Sequence, residues 1–302
     1  MSKSSSSSSS SKVAEKFARS SNGYVPIGKM YNLKGSTGND NDKPPLPIYV
    51  VGDGNKSSKR CLLILSDVYG IHTGRHKVVA DTFATECGYY VVMPDLFRND
   101  PPFIDDTDKG EKKNGNKNDG KAFDPTIGSE RLLANYKYSQ VEHDLIDIVL
   151  PFIRHQTSGG SGCKISIVGF CYGAYVMTYL ATEIPREELV CCVSSHPSIV
   201  QLSNVIGDDW KTAFETLIQC PILLINAEND KSVEQQPNGE ISLLLSGRNL
   251  TCDSQFHTFT VVKHGFSIRG DIESDAVVKE ATQVAFQLMI EFLTKQFDKK
   301  KG

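Results

Sequence analysis

The sequence predicts an α/β fold in a single domain, with a mostly parallel central sheet covered by helices on both faces. Three observations lead there. Short apolar runs of strand length alternate with helical patterns through most of the chain, the rhythm of successive β-α-β units. Most of those runs are continuously hydrophobic, as strands buried on both faces require. A length of 302 residues suffices for one large domain plus tails.

The chain opens with an unbroken serine run, Ser4 to Ser11, then Lys12, Lys16 and Arg19, without the apolar stretch of a secretory signal. Residues 1–44 are therefore expected to form a disordered tail. A Ser-rich, basic, acid-poor start is also the composition of organelle transit peptides, so the expected compartment is the cytoplasm, with an organelle as the alternative. Strands are expected at Pro47–Val51, Cys61–Asp67, Tyr89–Pro94, Ile165–Gly169, Leu189–Ser194, Ile222–Ala227 and Phe256–Val262. Val141, Leu145, Ile148, Val149 and Phe152 recur at three- and four-residue steps and mark an amphipathic helix closed by Pro151 and Gly159-Gly160. The last helix repeats the pattern with Val277, Ala281, Val284, Leu288 and Phe292, and Ser274 or Asp275 can cap it. Residues 105–121, DDTDKGEKKNGNKNDGK, are too polar to bury and read as an exposed insertion that could lie over a ligand edge. The domain is thus expected over residues 45–297, with 298–302 as a short tail.

Composition removes several classes of function. The formal net charge is −3 and the isoelectric point about 6.2, with both signs mixed along the chain, so nucleic acid is not an expected partner. No apolar run approaches the roughly 18–20 residues needed to cross a bilayer, and no membrane association is expected. The eight cysteines, Cys61, Cys87, Cys163, Cys171, Cys191, Cys192, Cys220 and Cys252, contain no C-x-x-C pair. Several sit in apolar runs as small hydrophobes, which favours a reducing compartment over a disulfide scaffold or zinc site. No cluster has metal-ligand spacing, no cofactor is expected, and a monomer is the default. The sequons Asn55-Lys56-Ser57 and Asn249-Leu250-Thr251 read as chance matches.

The chemistry is expected in SIVGFCYGAYVMTYLA, residues 166–181, where a β-branched run meets Gly169-Phe170-Cys171-Tyr172-Gly173 and then good helix formers. A Gly-x-nucleophile-x-Gly turn between strand and helix is a nucleophile elbow: the glycines leave room for a tight bend that holds the central side chain at the helix N-terminus. The helix dipole favours a thiolate there, and the Tyr172 amide points where a carbonyl oxygen gains charge. Sheets with such an elbow supply an acid and then a histidine after later strands. Asp230 follows the strand Ile222–Ala227 and His264 follows Phe256–Val262, giving the order Cys171, Asp230, His264. Glu228 rivals Asp230, which is preferred because it lies further beyond the strand end. His72, His76, His143, His155 and His257 read as structural or exposed, whereas His196, after a strand at the ligand edge, is expected to line the pocket.

These residues, with the upstream Leu65-Ser66-Asp67-Val68-Tyr69-Gly70 and with His264-Gly265-Phe266, resemble the dienelactone hydrolase family, the carboxymethylenebutenolidases, over roughly residues 45–297. The resemblance implies an α/β-hydrolase fold whose Cys-His-Asp triad opens lactones and small esters through an acyl-thioester. It implies that Asp67 stands where many members carry a longer glutamate that meets the resting cysteine. It further implies that the Val68 amide is the second oxyanion donor beside Tyr172, and that Arg98 and Arg269 match arginines holding a substrate carboxylate. A glutamine amidotransferase would carry an H-x-E pair, but Gly265-Phe266 follows His264. A non-catalytic small-molecule binder, or a redox sensor at Cys171, is the alternative outside catalysis.

Overall fold

A computed structural model describes residues 4–35, 43–54, 60–104, 125–158, 162–230, 232–246 and 253–299. The polar insertion at 105–121, both sequons, Cys252 and residues 300–302 lie outside the described residues. The strands are β1 (Lys29–Leu33), β2 (Leu46–Val51), β3 (Arg60–Leu65), β4 (Tyr90–Pro94), β5 (Lys164–Phe170), β6 (Leu189–Ser195), β7 (Ile222–Ala227) and β8 (Gln255–Phe259). The helices are α1 (Ser4–Phe17), α2 (His76–Cys87), α3 (Pro125–Asn135), α4 (Tyr138–His143), α5 (Leu150–Ser158), α6 (Tyr172–Glu183), α7 (Ile199–Ile206), α8 (Trp210–Thr212), α9 (Glu240–Ser246), α10 (Phe266–Arg269) and α11 (Ala276–Lys299). Among the described residues no helix is long and apolar enough to cross a membrane.

The strand order is β1-β2-β4-β3-β5-β6-β7-β8, parallel from β4 to β8 and antiparallel at β1-β2-β4. The alternation of side chains along each strand divides the core in two. In β3, Cys61, Leu63 and Leu65 join the cluster beneath α4 to α7, whereas Leu62 and Ile64 join the one beneath α1, α2 and α11. The predicted hydrophobic runs are continuous because both faces of every central strand are covered. The C-terminal ends of β3, β5, β6, β7 and β8 therefore deliver their loops to one edge, the usual ligand edge of such sheets.

Four expectations are corrected. The expected disordered tail carries α1 and β1: Ala14 and Phe17, three residues apart, are buried, and the Phe17 ring stacks on Phe286 at 4.4 Å and meets the edge of Phe83 at 4.6 Å. The serine run dilutes that stripe below what composition reveals. Pro151 does not close its helix, which continues to Ser158. A π-helical turn, Asp144–Val149, precedes it, and the Leu150 N–H reaches back to the Leu145 carbonyl, so the ladder has shifted register where proline lacks a donor. In α11 the buried stripe is Ala281, Ala285, Phe286, Met289, Phe292 and Leu293, while Val277 and Val284 face solvent. Asp275 is its cap, with Oδ1 accepting from the N–H groups of Val277 and Val278 at 2.9 and 3.1 Å. Finally, the strand expected to reach Val262 ends at Phe259 and hands residues 260–264 to the turn that carries His264.

Candidate active site

β5 ends at Phe170 and α6 begins at Tyr172, leaving Cys171 alone in the bend at φ 52° and ψ −111°. A positive φ in a residue other than glycine stores about 1–3 kcal/mol and persists only where the surroundings enforce it. Here they do. A Cβ on Gly169 would lie 2.5 Å from the Gly173 carbonyl oxygen, and one on Gly173 would strike the carbonyl oxygens of Leu65 and Ser66. The two glycines of the motif thus have different tasks: one closes the elbow on itself, the other lets it press against the end of β3. The bend is tied down by the Cys171 N–H donating to the Ser195 carbonyl at 3.4 Å, and by the Cys171 carbonyl accepting from Ala174 at 3.0 Å and Ser198 at 3.2 Å.

His264 Nδ1 lies 2.6 Å from Asp230 Oδ1. Asp230 is held in place: its Oδ2 accepts from the Ala227 N–H at 2.7 Å and its carbonyl from Gln236 Nε2 at 3.0 Å. Glu228 is exposed and is not the partner of the histidine. With Nδ1 committed to Asp230, Nε2 is the ring atom left for the sulfur. Burial disfavours charge on His264, but the negative sulfur of Cys171, the hydrogen bond and charge of Asp230, and a hydrogen bond to Cys171 outweigh it and raise the pKa to about 10. The backbone of His264 is fixed as well, its N–H donating to Asn229 Oδ1 at 2.6 Å.

His196 does not line an open pocket, contrary to expectation. It is fully buried, with its ring edge-on to His264 at 4.9 Å and its Nε2 3.0 Å from Ser267 Oγ. Burial, then repulsion from His264, pushes its pKa well below the ordinary value, so the ring is neutral. It is a wall behind the His264 ring.

The contact of Gly173 with Leu65 and Ser66 sets the Val68 loop beside the elbow. Among the described residues, neither the Val68 N–H nor the Tyr172 N–H donates a hydrogen bond within the protein, the condition an oxyanion hole requires. Asp67 does not hydrogen-bond Cys171. Its Oδ2 accepts from Arg269 Nε at 2.6 Å, its Oδ1 from Arg269 Nη2 at 2.9 Å and from the Tyr69 N–H at 3.0 Å. Arg269 also donates to Thr73 Oγ1 at 2.7 Å and lies 4.1 Å above the Tyr69 ring. Arg98 grips Asp144 with both Nη atoms, at 2.7 and 2.8 Å, and the Pro44 carbonyl with Nε. Both arginines expected to face a substrate carboxylate already hold a carboxylate of the protein.

Sequence reasoning gave no part in the site to Asn229, Arg75 and Ser198, and read His76 only as structural or exposed. Arg75, buried at the start of α2, donates to the carbonyls of Gly270, Phe266 and Ser267 and so ties α2 to the short helix after His264. His76 Nε2 accepts the Asp67 N–H at 3.3 Å, and its Nδ1 lies 3.0 Å from the Thr73 carbonyl. Ser198 Oγ is 3.4 Å from Cys171 Sγ. The arginine in a glycine-containing loop before a helix was the one available signal; the other three act through backbone geometry that spacing does not encode.

Comparison with known proteins bears on this geometry. The profile of the dienelactone hydrolase family matches residues 46–297. The hydrolase pyvD of Aspergillus violaceofuscus is 28% identical over 75% of this chain and 78% of its own length. The carboxymethylenebutenolidase homolog of Rattus norvegicus is 24% identical over 78% and 82%. Among solved structures, a dienelactone hydrolase-like promiscuous phosphotriesterase from metagenomic libraries superposes with a TM-score of 0.59 at 15% identity, covering 89% of this chain and 98% of that one; at that identity it shows the α/β-hydrolase fold alone. With the profile spanning β2 to β8, and with the elbow, Asp230 and His264 inside the matched span, this chain belongs to the dienelactone hydrolase family.

Proposed function

We propose that this protein hydrolyses small, uncharged esters or lactones through a Cys171-His264-Asp230 triad and an acyl-thioester. Membership of the family makes the chain a hydrolase acting on ester or lactone bonds; the triad and its intermediate are our reading. The observation that carries it is His264, bonded through Nδ1 to a buried Asp230 at 2.6 Å, its charged form favoured by the neighbouring sulfur of a strained elbow.

As the sulfur attacks, His264 carries the proton and Cys171 the negative charge, each stabilising the other. The sulfur attacks the acyl carbon, and the carbonyl oxygen becomes an oxyanion between the Val68 and Tyr172 amides, donors that need no rearrangement to receive it. Collapse of the adduct breaks the carbon–oxygen bond, and the departing alkoxide takes the Nε2 proton of His264. Neutral His264 then removes a proton from water, the hydroxide attacks the thioester, and the thiolate leaves as the acid product forms. Throughout, Asp230 keeps the ring oriented and offsets its positive charge. Sulfur is a good leaving group from the second adduct, which suits esters and lactones better than amides.

The charge balance around the site supports an uncharged substrate. Arg269 is neutralised by Asp67 and Arg98 by Asp144, both in bidentate pairs, and the triad brings its own anion, Asp230. The test is turnover of p-nitrophenyl acetate and of matched lactones with and without a carboxylate, by wild type and C171A. Abolished turnover in folded C171A, with the uncharged lactone preferred at least about tenfold, a modest 1.4 kcal/mol, is expected. Equal rates in the two proteins would overturn the triad, and preference for the carboxylate would overturn the substrate class.

A further inference from the structure

We propose that Ser198 is a catalytic residue whose hydroxyl donates a hydrogen bond to the Cys171 sulfur when it is in its thiolate form. The inference rests on the reading of Cys171 as the nucleophile. It begins with a local rule that the structure breaks. Serine at the residue before a helix ordinarily turns its oxygen onto the first free amides of that helix. Ser198 occupies that place ahead of α7, at φ −110° and ψ 34°, yet its side chain makes no capping hydrogen bond. Its oxygen is turned instead to Cys171 Sγ at 3.4 Å.

The backbone that aims it is fixed at three consecutive residues. The His196 N–H donates to the Ile225 carbonyl at 2.6 Å, the Pro197 carbonyl accepts from the buried Gln235 Nε2 at 2.7 Å, and the Ser198 N–H donates to the Cys171 carbonyl at 3.2 Å. A side chain on a segment held this way is preorganised toward the sulfur. The second observation is that Asp67, the acidic group expected beside the resting cysteine, is spent on Arg269 and the Tyr69 amide. A thiolate there repels a carboxylate but accepts from a hydroxyl, which supplies a donor without a competing charge. Ser198 thus stabilises the anion that attacks, and the bond must weaken as the sulfur forms its bond to carbon.

The test follows alkylation of Cys171 by iodoacetamide, in which the thiolate forms a carbon–sulfur bond and iodide leaves, read on the Cys171 peptide by mass spectrometry from pH 5 to 9. Loss of a hydrogen bond to a charged acceptor costs about tenfold in the thiolate population. S198A should therefore alkylate about tenfold more slowly at the acid end, with its pH midpoint moved up by about one unit, while at the alkaline plateau it is as fast as wild type or faster. S198T, which keeps the hydroxyl, should restore the wild-type profile. A superimposable S198A profile, or a rate lowered by the same factor at every pH, would overturn the proposal. The readout is separate from ester turnover: a wild type that alkylates with the expected profile yet hydrolyses no ester would remove the hydrolase reading and leave the Ser198 contact supported.

Discussion

His264 holds its proton because of two neighbours, and this has a consequence for stability. Its pKa is raised to about 10 in the folded protein, against an ordinary value of 6.5. For a group whose folded pKa is raised, the stabilisation is present in full below the unfolded pKa and is lost as pH rises through the folded one. The window here is therefore pH 6.5 to about 10. H264Q, which cannot take the charge, should unfold in less urea than wild type at pH 6, and the difference should narrow through pH 8 and largely close at pH 10. A gap that widens with pH would show that the ring is neutral in the folded protein. Chain order and strand ends made the pairing of Asp230 with His264 legible in the sequence, and the two lie 2.6 Å apart. His196 was not legible, since a positive φ of 42° turns it inward behind His264 and no residue pattern announces that turn. Nor were the partners of Arg98 and Arg269, because Asp144 and Asp67 reach them across the fold and not along the chain.

At the scale of elements, the site depends on how closely α6 can approach β3. Gly173 is the point of contact, and any side chain there meets the backbone oxygens of Leu65 and Ser66 rather than a yielding side chain. G173A should therefore push the elbow away from the Val68 loop, separating the Val68 and Tyr172 amides proposed as oxyanion donors as well as straining the core. Overpacking of this kind costs about 1–3 kcal/mol, and the loss of one oxyanion donor costs about 100-fold or more in turnover. The expected outcome is a lowered melting temperature and at least a 100-fold drop in p-nitrophenyl acetate hydrolysis. A variant with wild-type turnover would mean that the two loops are not coupled through this glycine. Elements buried on both faces were readable to within a residue or so, as Ile222–Ala227 shows, because continuous apolar runs admit few other readings. The edge strand β1 was missed: its residues, KMYNL, are mostly exposed and carry no periodic signature. The stripe of α11 was misplaced because the long helix offers several three- and four-residue series, and only the packing of Phe286, Met289 and Leu293 selects among them.

At the scale of the molecule, the segment before residue 46 stands outside the family match yet completes one side of the core. Phe17 is fully buried between Phe83 of α2 and Phe286 of α11. Further along, Tyr24 Oη and the Ile27 N–H both donate to Asp81 Oδ2, and Tyr49 Oη donates to Oδ1 of the same buried carboxylate. The arm is thus anchored twice, by an aromatic wedge and by a hydrogen-bonded Asp81. Truncating a buried phenylalanine costs about 3–5 kcal/mol where the site cannot collapse, but α1 can detach as a unit, so the loss is bounded by the docking energy of the arm. F17A should therefore lower the urea midpoint and make the first thirty or so residues the earliest to exchange their amide hydrogens. Turnover should change by less than about twofold, since α1 packs on α2 and α11 and a packing loss away from the proposed triad alters stability before rate. An unchanged midpoint would show that the arm rests on the domain without stabilising it, and a large loss of turnover would show that α2, whose first turn carries Arg75 and His76, transmits the packing of Phe17 to the loop of Asp67.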